Sequence, residues 1–315
     1  MRFLLDTEQR DFAGSLRALL TAADTPTVIR DWSRGEQTSG RALWGRIAEA
    51  GVFGLAVPEE YEGAGRRPVE LALAFVELGR FAVPGPLVET VAAAVLLGAG
   101  ADLAKRFLPG IASGGTMVTV ESGGVALDGD AADARLAITP DGLRLSPGAG
   151  PVRRSLDPAR RLTPLLAGGE LLDAGPPLER AIAWARLAVA AQALGVGLAL
   201  LDRTVAYVRQ RTQFGVPIGS FQAVKHRLAD AKIALEFARP LVFGAAVTMT
   251  PSDAAAAKLR ACEAACVSAG AALQLHGAIG YTAEYDLSLW LTKARALRAA
   301  WGTPEECRGV VLDRR

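Results

Sequence analysis

A mainly α fold in three parts is predicted by three observations. Helical periodicity runs in blocks at both ends of the chain, and the stretch from Gly114 to Pro177 breaks instead into short β-like pieces set off by Gly, Pro and Asp. Composition agrees: half of the residues are apolar, only 6% are aromatic, and Ala, Leu, Val and Gly dominate, which suits closely approaching helices. At 315 residues the chain exceeds the usual span of one core. The expected division is an N-terminal helical domain over 1–112, an abbreviated middle β domain over 113–177, and a C-terminal four-helix bundle over 178–315.

In the first part, amphipathic spacing predicts helices over Thr7 to Ala22, Arg41 to Ala50, Val69 to Arg80 and Pro86 to Leu97. The glycines of Glu59-Glu-Tyr-Glu-Gly-Ala-Gly65 mark a loop, and Pro84-Gly-Pro86 breaks the chain before a helix that proline can start. The middle supplies three short strands, Met117 to Glu121, Arg135 to Thr139 and Gly142 to Ser146, so a partial sheet or barrel is expected. Long helical blocks then cover Leu178 to Arg211, Gln222 to Thr248, Asp253 to Leu275 and Asp286 to Ala300. Short loops between them point to an antiparallel bundle. Thr250-Pro-Ser-Asp253 carries capping chemistry for the third block, which Gly277 and Gly280 close.

Charge excludes one class of partner. With 35 basic and 33 acidic residues spread along the chain, no field is present to steer a polyanion, so nucleic acid is not expected. The apolar runs Thr90 to Ala99 and Leu187 to Leu201 are short or interrupted by Gln192 and glycines, and no membrane span is predicted. The opening Met1-Arg-Phe-Leu-Leu-Asp6 passes straight to charged residues without a leader pattern, so a cytoplasmic location is expected. Cys262, Cys266 and Cys307 lack zinc spacing and read as reduced helix cysteines, and His226 and His276 are too few for a metal centre.

The chemistry concentrates in two segments. Tyr207 to Gln222, with Arg211-Thr-Gln-Phe-Gly215 at its heart, ends one helix and opens the next, placing a cation, an aromatic ring and a carboxamide around a glycine turn. Arg211 can pair with a phosphate in bidentate fashion, Phe214 can pack on a ligand, and Gln222 can donate and accept at a polar edge. In Gln274-Leu-His-Gly-Ala-Ile-Gly280, glycines allow backbone to approach a ligand closely.

Both segments resemble those of the acyl-CoA dehydrogenase family, as do Leu5 to Arg10 and Gly51 to Gly65. The resemblance implies FAD as cofactor, with Arg211, Phe214, Gln222, Gln274, Gly277, Ala278 and Thr303 as cofactor-binding residues. The first segment would contact the adenosine-diphosphate half of the FAD held by a neighbouring subunit. Gln213 and Phe221 match the family pattern less cleanly.

Departures from the pattern carry as much information. The family removes the proton α to a thioester carbonyl with a glutamate, usually placed immediately before the Gly-Thr that here is Gly302-Thr303. Trp301 occupies that position. The family's alternative base position, one residue before an arginine early in the first bundle helix, is Ala185, ahead of Arg186. Glu179, Glu305 and Glu306 are the nearest acids in sequence and read as solvated. Val118 to Gly123 faintly resembles the first flavin-facing strand, but the tryptophan-centred strand that follows in typical members has no counterpart.

What the resemblance implies is therefore a β-type, non-catalytic subunit of a heteromeric enzyme, such as a heterotetramer. A homologous full-length acyl-CoA dehydrogenase subunit would bind most of the acyl-CoA substrate and supply the base. The α,β-dehydrogenation would pass electrons through FAD to an electron-transfer flavoprotein. Two alternatives stay open: a self-sufficient homo-oligomeric flavoenzyme with a displaced base, and a purely structural partner of a dehydrogenase.

Overall fold

The computed structural model describes residues 5–313, so Met1 to Leu4 of the opening, on which part of the leader argument rests, lie outside the described residues. Six helices form the first part: α1 (Thr7–Thr21), α2 (Thr25–Arg34), α3 (Thr38–Glu49), α4 (Pro68–Arg80), α5 (Leu87–Leu97) and α6 (Ala101–Ala112). Asp6 starts α1 through a reciprocal capping box with Gln9. Two of the six, α2 and α6, were not predicted. The first opens on a left-handed Asp24 with no side-chain cap, and the second carries Pro109 inside it. Both are held by what they bury: Val28, Ile29 and Trp32 in α2, Phe107, Leu108 and Ile111 in α6.

The middle part is a sheet of six strands, twice the three predicted. They are β1 (Val118–Ser122), β2 (Val125–Leu127), β3 (Ala134–Thr139), β4 (Gly142–Leu145), β5 (Leu162–Thr163) and β6 (Glu170–Asp173). Their spatial order is β5-β2-β1-β3-β4-β6, with β1 and β3 parallel and the other pairs antiparallel. The unpredicted strands are two to four residues long, too short to show alternation. The sheet is anchored on α5, where Thr90 Oγ1 donates to the Val118 carbonyl at 2.8 Å. Every residue of α5 is buried.

The last part contains α7 (Leu178–Gln210), a small hairpin of β7 (Thr212–Gln213) and β8 (Val216–Pro217), α8 (Gln222–Thr248), α9 (Pro251–His276), α10 (Leu287–Leu297) and α11 (Pro304–Leu312). The bundle is formed by α7, α8 and α9 with the shorter α10, and α11 packs on α9. The predicted fourth block to Ala300 stops at Leu297, because Trp301 and Gly302 turn the chain with φ of 56° and 124°. The short α11 was missed, although Thr303 and Glu306 form a capping box with Pro304 at the helix start.

The central helix is α7. It runs through Gln192 and its glycines without interruption and is long and apolar enough to cross a membrane, which corrects the reading of that run as broken. Its apolar window is 94% buried among the other helices, so the apolarity is used inside the fold. Close approach to α4 depends on two glycines facing each other: a methyl group at Gly79 would collide with the Gln192 carbonyl, and one at Gly195 with the Val76 carbonyl.

Candidate functional site

Arg211 leaves the C-terminal end of α7 in extended conformation, and the β7–β8 hairpin folds back through Phe214 and Gly215, both at positive φ. The hairpin is tied to its base where the Ile218 N–H donates to the Arg211 carbonyl at 2.8 Å. It holds few side chains inward. Phe214 is 92% exposed, and its ring lies edge to face with that of Phe221 at 6.3 Å between centroids. Arg211, Gln222 and Gln274 are exposed, and none has a side-chain hydrogen bond or ion pair among the described residues. Gly277, with φ of 64°, ends α9, and Ala278 follows it in an exposed single helical turn.

The two predicted segments meet in space. Tyr207, one turn before Arg211, stacks on His276, two residues after Gln274, with ring centroids 4.1 Å apart and planes at 22°. The Tyr207 hydroxyl also donates to the His276 carbonyl at 3.5 Å. Burial lowers the His276 pKa, and the bond of its Nδ1 to the Ala272 carbonyl leaves Nε2 buried without a partner. The outer site is thus a cation, two carboxamides and an aromatic ring, projecting from a stacked pair in which His276 is buried and Tyr207 half-buried.

Thr303 does not join that group. It caps α11, with its hydroxyl accepting from the Glu306 N–H, and it lines a separate cavity of about 590 Å³ between the sheet and α10. Trp301 lies in the wall of this cavity. The two positions where a base was sought are neighbours here: Ala185 is fully buried, and the adjacent Arg186 donates through Nε to the Trp301 carbonyl at 3.2 Å. Lys258 of α9 fastens the same turn, donating to the carbonyls of Arg298 at 3.0 Å and Gly302 at 2.6 Å. Glu179 is exposed, Glu305 is exposed beside Arg308, and Glu306 is committed to its cap.

A carboxyl group does reach the Trp301 position, from a residue that sequence reasoning passed over. Glu89, in the first turn of α5, accepts a hydrogen bond from Trp301 Nε1 at 3.1 Å through Oε1. Its other oxygen is buried without a partner. Burial pushes the Glu89 pKa up, against the opposing charge of Arg160 and the indole hydrogen bond. Nearby Asp128, which accepts from Trp32 Nε1 at 3.0 Å, is pushed up to about 8, chiefly by burial, with the Glu89 charge adding to the shift. Asp157 and Lys293 complete this interior group as a buried ion pair at 3.4 Å. The available signal was the lone Glu in the apolar run Val88 to Leu97, but a glutamate in a first helical turn also reads as favourable to the helix dipole.

Comparison with known families decides the assignment. The acyl-CoA dehydrogenase N-terminal domain model matches residues 6–115, and the acyl-CoA dehydrogenase C-terminal domain model matches residues 177–314. The chain belongs to the acyl-CoA dehydrogenase family. This acyl-CoA dehydrogenase homologue is 35% identical to acyl-CoA dehydrogenase IpdE2 of Mycobacterium tuberculosis, over 95% of each chain. Its fold matches a chain of the ChsE4-ChsE5 complex from Mycobacterium tuberculosis, with TM-score 0.85 and 26% identity over 98% of this chain and 97% of that one. It also matches a chain of the Tcur3481-Tcur3483 steroid ACAD, as a variant of that enzyme, with TM-score 0.82 and 26% identity over 97% of each.

FAD is the cofactor of the family, and it accepts the hydride in dehydrogenation. The outer group suits the polar half of such a dinucleotide, since Arg211, Gln222 and Gln274 keep their hydrogen-bonding capacity free. Around Trp301 the fit is poorer. An indole stands where a carboxylate is expected, and burial disfavours the charged form of Glu89 that a base would require.

Proposed function

We propose that the chain is the non-catalytic, β-type subunit of a heteromeric FAD-dependent acyl-CoA dehydrogenase. One observation carries the reading: a family member presents unpaired Arg211, Gln222 and Gln274 beside a fully exposed Phe214, while an indole occupies its own base position. A partner's FAD would receive the outer group. Arg211 would hold its diphosphate, Phe214 would cover it, and Gln222 and Gln274 would bind its polar edges, with the Gly277-Ala278 backbone close by. Thr303 would serve the cavity of its own chain.

The surface supports an association role. Ile233, Phe237 and Leu241 lie four residues apart along α8 and are 53%, 68% and 41% exposed, an apolar stripe suited to burial against another subunit. The likeness to IpdE2 runs over nearly the full length of both chains, and the ChsE4-ChsE5 complex supports mixed pairing. The partner would be a homologous full-length dehydrogenase that supplies the base, and an electron-transfer flavoprotein would collect the electrons. The likeness to the Tcur3481-Tcur3483 steroid ACAD makes a steroid-derived acyl-CoA the substrate class to try first.

Co-expression with a homologous full-length acyl-CoA dehydrogenase is expected to yield a flavin-coloured complex of both chains. Subunit ratio and flavin absorbance after gel filtration measure this directly. Dehydrogenation by the isolated chain at rates comparable to those of the complex would overturn the reading.

A further inference from the structure

The cavity beneath Trp301 has features that a merely lost active site does not require. Its wall is apolar along Val120, Leu127 and Leu162, and it admits two cations, Arg160 and Arg295, neither of which has an ion-pair or hydrogen-bond partner for its side chain among the described residues. Into it faces Glu89, 4% exposed, with Oε1 taken by the Trp301 indole and Oε2 left without a partner. The volume of about 590 Å³ suits a small-molecule ligand. A buried polar atom left unpaired disfavours the fold, and a ligand that pairs with it removes the deficit.

We propose that this cavity binds an apolar monocarboxylate, with its head group between Glu89 and Arg160. Because Oε1 already accepts the Trp301 N–H, a neutral Glu89 would carry its proton on Oε2 and donate it to one ligand oxygen. Arg160 supplies the compensating charge and its planar fork of donors. Burial already raises the Glu89 pKa, and a second carboxylate beside it reinforces the neutral form, as in other paired carboxyl groups. Arg295 sets a second positive charge in the same cavity, so a cationic ligand is disfavoured. No electron transfer is involved, and the inference stands independently of the FAD role proposed above.

The test uses the full chain alone and follows binding of decanoate by calorimetry, with 2-undecanone as the uncharged apolar counterpart and inorganic phosphate as the anion without a tail. Decanoate is expected to bind at least about tenfold more tightly than either. Arg160→Gln should weaken decanoate by about tenfold and leave the ketone unchanged, and Glu89→Leu should weaken decanoate by about tenfold, whereas Glu89→Gln, which keeps an N–H donor, should stay within about threefold of the unaltered chain. Thermal melts check folding, and Arg160→Gln together with Glu89→Gln keeps the test intact if Glu89→Leu does not fold. Equal binding of ketone and decanoate, phosphate binding as tight as decanoate, unchanged decanoate affinity in Arg160→Gln, or loss in Glu89→Gln as large as in Glu89→Leu would each overturn the proposal.

Discussion

The hairpin after α7 and the turn after α10 are built on opposite plans. At the hairpin, Arg211, Phe214 and Gln222 are exposed, and the two polar side chains have no hydrogen-bond or ion-pair partner among the described residues. At the turn, Trp301 is held on every side: Arg186 takes its carbonyl, Glu89 takes its indole N–H, Lys258 takes the next carbonyl, and Thr303 caps the helix that follows. A segment that satisfies its own groups needs no partner, and one that exposes a cation, a carboxamide and a phenyl ring together is complementary to something else. On the function proposed above, the same chain would offer the outward half of a cofactor site to a partner while its own inner turn is committed to internal contacts.

The largest effect is expected where the inner plan is broken. Trp301→Glu introduces the residue type that the family resemblance implies for this position, but it removes a buried indole and sets a second carboxyl beside Glu89. Loss of a buried tryptophan costs about 3–5 kcal/mol. Calorimetric melting should therefore show marked destabilisation, and steady-state assays of the isolated variant with a panel of acyl-CoAs and a dye acceptor should show no dehydrogenation. Activity from this single change would mean that the inner site is complete.

Breaking the outer plan should leave the fold alone and act on the cofactor. In the assembled complex, Arg211→Ala is expected to weaken FAD about ten- to a hundredfold, the loss of charge-assisted hydrogen bonds worth about 1.5–3 kcal/mol each. Arg209→Ala, two residues earlier in α7, should leave flavin content unchanged. Bound FAD per complex after gel filtration separates the two, and equal loss from both variants would point to general destabilisation.

A third change tests whether the inner plan depends on the helix that carries it. Gly195→Ala forces a methyl group against the Val76 carbonyl and should push α7 away from α4. Overpacking of this kind costs about 1–3 kcal/mol. Chemical denaturation should show the loss, while FAD retention by folded complex should stay near the unaltered value.

The last effect is on pH dependence. Asp128 has its pKa raised from 3.8 to about 8, so the native state holds a proton that the unfolded chain releases. Its stabilising contribution is full below about pH 4 and is lost as pH rises through about 8. Asp128→Asn keeps a neutral acceptor for the Trp32 indole and should make the decline of melting temperature over that interval shallower. Some decline should remain, because Glu89 is shifted in the same direction. An unchanged slope would show that Asp128 does not hold its proton through that range.

Long periodic segments were legible from the sequence alone. The helices α7, α8 and α9 were found within a residue or two of their ends, because 33, 27 and 26 residues give a 3.6-residue period ample room to declare itself. The Tyr207 to Gln222 and Gln274 to Gly280 segments stood out for a related reason: their chemistry is local, with residues adjacent in sequence around glycine turns. Elements of two to four residues, β2, β5 and β6, carry no readable period and exist through pairing with distant strands.

Sequence by itself determined the family, the three-part order and the absence of a carboxylate at positions 185 and 301. Only the tertiary structure decided what packs against those positions. Glu89 and Trp301 are 212 residues apart and share a hydrogen bond, and the stacking of Tyr207 on His276 joins segments 69 residues apart. Neither contact leaves a periodic or local trace, since a side chain's partner across the fold is set by how helices and sheet pack. The same packing turns an unremarked glutamate in an apolar helix into a buried acid facing a cavity.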